Sequence, residues 1–76
     1  MKIFLLSQSV HTSYDTYDSC VVVSENEDKA RCIFPSEYAD TQWDWAKPED
    51  VTVTYIGEAK DGLTEGTVIC ASFNAG

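Results

Sequence analysis

Few residues of this 76-residue chain have the types or the spacing that catalysis requires. The single histidine, His11, stands in a polar stretch, and Cys20 is followed by three valines. Cys20 could act as a nucleophile with His11 as its base only if the thiol were accessible, and a strand of β-branched apolar residues buries it. We therefore interpret His11 as an ordinary exposed loop residue and predict no catalytic residue.

The motifs that bind cofactors and metals are also missing. The sequence contains no GxGxxG, GxxxxGK or GxSxG pattern and no CxxC pair. One histidine cannot build a multi-histidine metal site, and the stretch 15–18 lacks the register of a calcium loop. The sequence thus predicts a protein that is not an enzyme and that has neither cofactor nor metal.

The charge balance narrows the choice of partner. Thirteen acidic residues against five lysines and arginines give a net charge of −8 and a pI near 4.2. Such a chain is a poor binder of nucleic acid and of anionic membranes, because both require clustered cations. We expect it to bind a basic protein surface instead. The simpler alternative is that the negative charge only keeps a small protein soluble.

Two clusters of acidic and aromatic side chains are the most distinctive feature of the sequence. Aromatic residues are enriched in the energetic centres of interfaces, and carboxylates beside them pair with arginine and lysine of a partner. The residues predicted to bind a partner are Tyr14, Asp15, Tyr17 and Asp18 in the first cluster, and Glu37, Asp40, Trp43, Asp44 and Trp45 in the second.

The alternative interpretation of these clusters is structural. The aromatic rings would then close the open end of a small core while the acids stay in solvent. Trp43 and Trp45 are two residues apart, so in an extended segment both would point the same way. The sequence leaves open whether they belong to the core or to an interface.

The apolar pattern predicts four strands. Residues 2–8 are apolar on both faces, which is typical of a central strand, and 20–23 form a β-branched second strand that would pair with the first as a hairpin. Residues 51–56 alternate cleanly, and residues 67–73 follow after a turn region. We expect these last two strands to form a second hairpin.

One helix is expected between the two strand pairs. Ser24 and Glu27 match a capping box, Ala30 begins an apolar stripe, and Pro35 would end the helix, so the predicted span is about Glu25 to Phe34. The connection over residues 36–50 is long for an irregular loop and would contain a short second helix.

These elements predict one α+β domain over residues 1–76. Its order is β-β-α-β-β, with a four-stranded, mainly antiparallel sheet and one helix packed on one face in a two-layer arrangement. The pattern does not fix the strand order. The odd set Cys20, Cys32 and Cys70 predicts free thiols, of which at least two are buried. Because the first apolar run has only four residues, we expect no signal peptide and a cytoplasmic location.

The sequence resembles small proteins encoded by phages and mobile elements. The resemblance rests on Tyr14 to Val23 followed by Ser24 to Arg31, on the stretch from Ile69 to Gly76 and on the start Met1-Lys2-Ile3. Such proteins include the anti-CRISPR inhibitors, several of which are acidic α+β domains that bind the nucleic-acid-handling surface of a CRISPR effector complex. The resemblance implies a stoichiometric inhibitor in the host cytoplasm that has no enzymatic activity and binds a Cascade-type effector subunit. Acidic residues recur at 15–18, 25–28, 37–50 and 58–65, so a broadly negative surface would act as a DNA mimic toward a basic groove. The alternative is a small acidic protein-binding module with another partner.

Overall fold

The computed structural model describes residues 1–75, which form a four-stranded antiparallel sheet with one short helix. The prediction of a four-stranded, mainly antiparallel sheet is confirmed. The elements are β1 (Lys2–Ser7), β2 (Thr16–Ser24), α1 (Glu27–Ala30), a 3-10 helix (Pro48–Asp50), β3 (Thr52–Glu58) and β4 (Val68–Asn74).

The strand order is β3-β1-β2-β4, and every neighbouring pair is antiparallel. The pairing of β1 with β2 runs without interruption from Lys2 opposite Ser24 to Ser7 opposite Ser19. Among the four strands only β1 and β2 contain buried residues, because only a central strand is shielded from water by neighbours on both sides.

The predicted second hairpin is wrong. β3 and β4 lie on opposite edges of the sheet, where β3 pairs with β1 and β4 with β2. The connection between them, residues 59–67, crosses the end of the sheet. At its start the Ala59 N–H donates to Met1 O (3.0 Å), and at its end the Gly66 N–H donates to Val23 O (2.9 Å). A connection of this length can cross the two central strands. The expectation that strands adjacent in sequence pair with each other therefore gave the wrong partners for β3 and β4.

The core lies on one face of the sheet. Phe4 and Leu6 of β1 and Cys20 and Val22 of β2 point into it. The segment between β2 and β3 covers this face and contributes the buried residues Ala30, Trp45, Ala46 and Val51. On the opposite face, Ile3, Leu5 and Val21 are half-buried.

The helix is much shorter than the predicted span from Glu25 to Phe34. Ser24 is the last residue of β2 rather than a cap, and its hydroxyl donates to Asn26 O (3.2 Å). Asn26 is the N-cap, since its side chain accepts a hydrogen bond from the Lys29 N–H (2.9 Å). Strand pairing with Lys2 holds Ser24 in extended conformation, so the next residue able to cap begins the helix.

The cysteines are all free, but only Cys20 is buried, whereas Cys32 and Cys70 are exposed. The prediction of at least two buried thiols is therefore wrong. Cys70 lies on an edge strand, where an apolar sequence does not ensure cover. Within residues 1–75, no helix is long and apolar enough to cross a membrane.

Candidate partner-binding surface

The two acidic and aromatic clusters meet at one end of the sheet, where β1 ends and β2 and β3 begin. The Tyr17 N–H donates to Asp44 O over 2.8 Å, which joins the clusters through the backbone. His11 Nε2 lies 3.0 Å from Thr41 O and donates to it when that nitrogen carries the proton. We call the side chains of residues 11–18 and 37–44 the acidic loop surface.

Gln8 fixes the first loop. Its largely buried amide donates to His11 O and to Tyr17 O, both over 2.7 Å. Its Oε1 accepts from the N–H groups of Val10 (2.8 Å) and His11 (2.9 Å). A single side chain thereby satisfies four backbone groups, three in a loop that has no regular structure of its own and one, Tyr17 O, at the start of β2.

Asp15 occupies a turn position of unusual conformation, with φ of 63°. Aspartate and asparagine tolerate this left-handed region better than most residues do. The turn is held by Ser13 O, which accepts from Thr16 Oγ1 (2.6 Å) and from Asn74 Nδ2 of β4 (3.1 Å). The pairing of β2 with β4 shifts at Asp18, which leaves that side chain exposed.

Asp40 organises the second loop into a tight turn. Its carbonyl oxygen accepts from the N–H groups of Trp43, Asp44 and Trp45 at 3.0–3.2 Å. Its Oδ1 accepts from the Gln42 N–H, and its own N–H donates to Asp44 Oδ1, both over 2.7 Å. The carboxylates of Asp40 and Asp44 therefore shape this loop as well as charge it.

This turn separates the two tryptophans. Trp43 is 72% exposed, whereas Trp45 is 0% exposed and lies in the core. The expectation that both tryptophan side chains point the same way required an extended segment. The turn at Asp40 instead leaves the Trp43 ring in solvent and places the Trp45 ring in the core. Trp45 therefore supports the acidic loop surface from beneath and does not form part of it. Its Nε1 is buried and has no hydrogen-bond partner among the described residues.

The other predicted contact residues differ in exposure. Tyr14 is 73% exposed, and Asp15, Asp18, Glu37 and Asp40 are exposed as well. Asp44 and Tyr17 are half-buried, and the Tyr17 ring packs against Phe73 with a centroid distance of 4.8 Å. Among residues 1–75, no hydrogen bond joins Glu37 to the first cluster, so its place on the surface rests on the loop it shares with Asp40.

The charge of this surface has one sign. Its five carboxylates have no lysine or arginine in either segment, because the cations of the chain stand at positions 2, 29, 31, 47 and 60. Two of these cations form ion pairs at α1 and the residues that flank it, Lys29 with Glu25 (2.6 Å) and Arg31 with Glu27 (3.9 Å). The Lys29 ammonium hydrogen-bonds to Glu25 and lowers the pKa of that carboxyl, and Glu25 raises the pKa of Lys29 in turn.

Sequence reasoning missed the roles of Gln8 and His11. A polar amide directly after an apolar central strand was a usable signal, since a buried amide there must find backbone partners. For His11, predicted to be an exposed loop residue, the structure instead gives a half-buried ring that links the two loops. Nothing in its local sequence indicated the distant Thr41 carbonyl.

The chain was compared with family profiles, with curated proteins and with solved structures, and none of the three comparisons found a significant match. The functional argument therefore depends on the surface itself.

Proposed function

We propose that this chain is a stoichiometric protein inhibitor that acts as an acidic DNA mimic and blocks a basic DNA-binding surface of a bacterial CRISPR effector complex. The observation that carries the proposal is the acidic loop surface, whose two segments contain five carboxylates and no lysine or arginine, together with the exposed rings of Tyr14 and Trp43. We further propose a Cascade-type effector subunit as the partner and the host cytoplasm as the location.

The charge density decides how far mimicry alone can act. The longest dimension of the chain is 36 Å, close to one helical turn of B-DNA at about 34–36 Å. Duplex DNA of that length carries about 21 negative charges, at one per about 1.7 Å. The chain carries a net charge of −8. Its electrostatic attraction is therefore under half that of DNA, and it needs another source of affinity to displace DNA.

The exposed aromatic rings supply that source. Tyr14 and Trp43 present large rigid side chains at low entropic cost, and rings of this kind carry most of the binding energy in many interfaces. Arginines of a DNA-binding groove would pair with the carboxylates and stack on the rings. In this mechanism the charge accelerates association and the rings slow dissociation.

A gel-shift competition tests the proposal. A purified CRISPR effector complex and its target DNA are mixed with increasing amounts of this chain. We expect the effector–DNA band to disappear near an equimolar ratio of chain to effector, and the chain alone to leave free DNA unshifted. If the band persists at a large molar excess, competition with DNA is the wrong mechanism for that effector.

The second candidate function is a small acidic binding module for another protein. It is favoured by the magnitude of the net charge, which falls within the range of about 2–8 that solubility alone accounts for in a small domain. A pull-down from a CRISPR-bearing bacterial lysate separates the two candidates. Retention of effector subunits supports inhibition, and specific retention of an unrelated protein supports the module.

A further inference from the structure

The outer edge of β4 is an open sheet edge. Among the described residues β4 pairs only with β2, so the backbone N–H and C=O groups on its other side have no strand partner. Its side chains are also open to solvent, with Ile69 48% and Phe73 47% exposed. Unpaired backbone beside exposed apolar side chains is the feature to which another strand adds.

This edge is uncharged. From Gly66 onward the chain contains no acidic or basic residue, although charged residues make up 24% of the whole sequence. The other edge strand, β3, ends at Glu58, which accepts a hydrogen bond from the Tyr55 hydroxyl (2.6 Å). Charged residues on an edge discourage pairing with other chains. β3 has this protection and β4 does not.

The register of β4 limits where a second strand fits. The pairing with β2 shifts twice, at Ile69 of β4 and at Asp18 of β2, which lies opposite Ser72 and Phe73. Residues 70–74 are therefore the part of β4 that has no extra residue of its own. Two copies of this part, placed antiparallel about an axis at Ser72, would set Ala71 of each copy opposite Phe73 of the other. Each pair combines a small with a large side chain, and the two serines meet at the centre within reach of a hydrogen bond.

We propose that β4 pairs with β4 of a second copy of this chain, which joins two sheets into one of eight strands. An uncharged strand offers nothing to select a basic or an acidic partner, whereas an identical strand meets it without unpaired charge. This interface adjoins the acidic loop surface at Asn74, which hydrogen-bonds to Ser13 and Asp15, but it uses no charged side chain. It therefore makes a different prediction about salt from the one that the proposed function makes. Two copies with a net charge of −8 each repel one another, so added salt strengthens the dimer, while binding to a basic partner weakens.

The test is the molar mass of the chain in solution, measured by sedimentation equilibrium at concentrations up to about 1 mM. At that concentration, a dimer with a Kd of about 1 mM would contain half of the chains. We expect the wild-type dimer fraction to rise with concentration and with salt. Ser72→Glu and Ser72→Lys should each be monomeric, because like charges meet at the axis. An equimolar mixture of the two variants should recover the dimer mass.

The matched controls are Thr54→Glu and Thr54→Lys on β3, an exposed threonine on the other edge. Both should dimerise like the wild type. Circular dichroism confirms that each variant is folded before its mass is interpreted. A wild-type chain that stays monomeric at about 1 mM overturns the proposal. The proposal is also overturned if the Thr54 variants abolish the dimer, or if the mixture of the Ser72 variants stays monomeric.

Discussion

Replacing each tryptophan of the Trp43-Asp44-Trp45 stretch by alanine should have opposite consequences. Trp45 is fully buried in the core, and truncating a buried tryptophan costs about 3–5 kcal/mol of unfolding free energy. A domain of 76 residues has a total stability of about 4–11 kcal/mol, at about 0.05–0.15 kcal/mol per residue. Trp45→Ala therefore removes from a quarter of the stability to all of it.

Trp43 is 72% exposed, and a surface substitution of this kind changes the stability by about 0.5 kcal/mol or less. In a domain of this size, 1 kcal/mol shifts the melting temperature by about 4–8 °C. We thus expect Trp45→Ala to lower Tm by about 12 °C or more, or to prevent folding, and Trp43→Ala to change it by about 4 °C at most.

Thermal unfolding followed by far-ultraviolet circular dichroism measures both values, with Trp43→Phe and Trp45→Phe as milder companions. The assignment of Trp45 to the core and Trp43 to the surface is refuted if both alanine variants lower Tm by similar amounts. It is also refuted if Trp45→Ala melts within about 4 °C of the wild type.

Three further predictions concern the thiols and the first loop. A colorimetric thiol reagent should modify Cys32 and Cys70 rapidly and Cys20 only after denaturant is added, since Cys20 is the one buried cysteine. Rapid modification of all three thiols in the folded protein would contradict this placement. Burial, with a smaller contribution from Cys70, raises the pKa of the Cys20 thiol from 9.0 to about 12. The unfolded chain therefore loses this proton at a lower pH than the folded chain does. As a result, the free energy of unfolding falls between about pH 9 and 12, by at most about 1.4 kcal/mol per pH unit. Urea unfolding at several pH values should show a smaller alkaline loss for Cys20→Ala than for the wild type, and equal slopes would refute the assignment. Gln8→Ala should lower the unfolding free energy by about 1–3 kcal/mol in urea titrations, because four backbone groups lose their partner, and an unchanged midpoint would contradict that role.

The strands were predictable from the sequence because their pattern is local. A β1 strand that is apolar on both faces was expected to be central, and it is. The pairing of β3 and β4 was not predictable in this way, since the hydrophobic pattern of a strand specifies which face is buried and not which neighbour it has. The 59–67 connection decides the pairing, and its hydrogen bonds to Met1 and Val23 depend on the folded sheet.

The composition of the acidic loop surface was predictable, but its geometry was not. Side-chain types alone indicated acids beside aromatic rings, whereas the difference between Trp43 and Trp45 depends on three hydrogen bonds to the Asp40 carbonyl. The helix shows the same limit. A capping box at Ser24 and a cap at Asn26 are both plausible in sequence, and the strand pairing of Ser24 with Lys2 selects the second.

The central claim is that the acidic loop surface, and not the overall charge, contacts the partner. Two matched double variants separate these causes: Asp18→Lys with Glu37→Lys on the surface, and Asp28→Lys with Asp61→Lys in α1 and in the 59–67 connection, which follow the other ends of β2 and β3. All four side chains are exposed, and none makes a hydrogen bond or ion pair within residues 1–75. Both double variants have a net charge of −4 in place of −8, because each reversal adds two positive charges.

The most direct measurement is the concentration of each double variant that displaces half of the DNA from the effector complex. We expect the surface variant to need at least about tenfold more protein than the wild type, a change of about 1.4 kcal/mol in binding free energy, and the control to stay within about twofold. Equal losses for the two variants would contradict the claim, since the overall charge would then be sufficient to explain the competition.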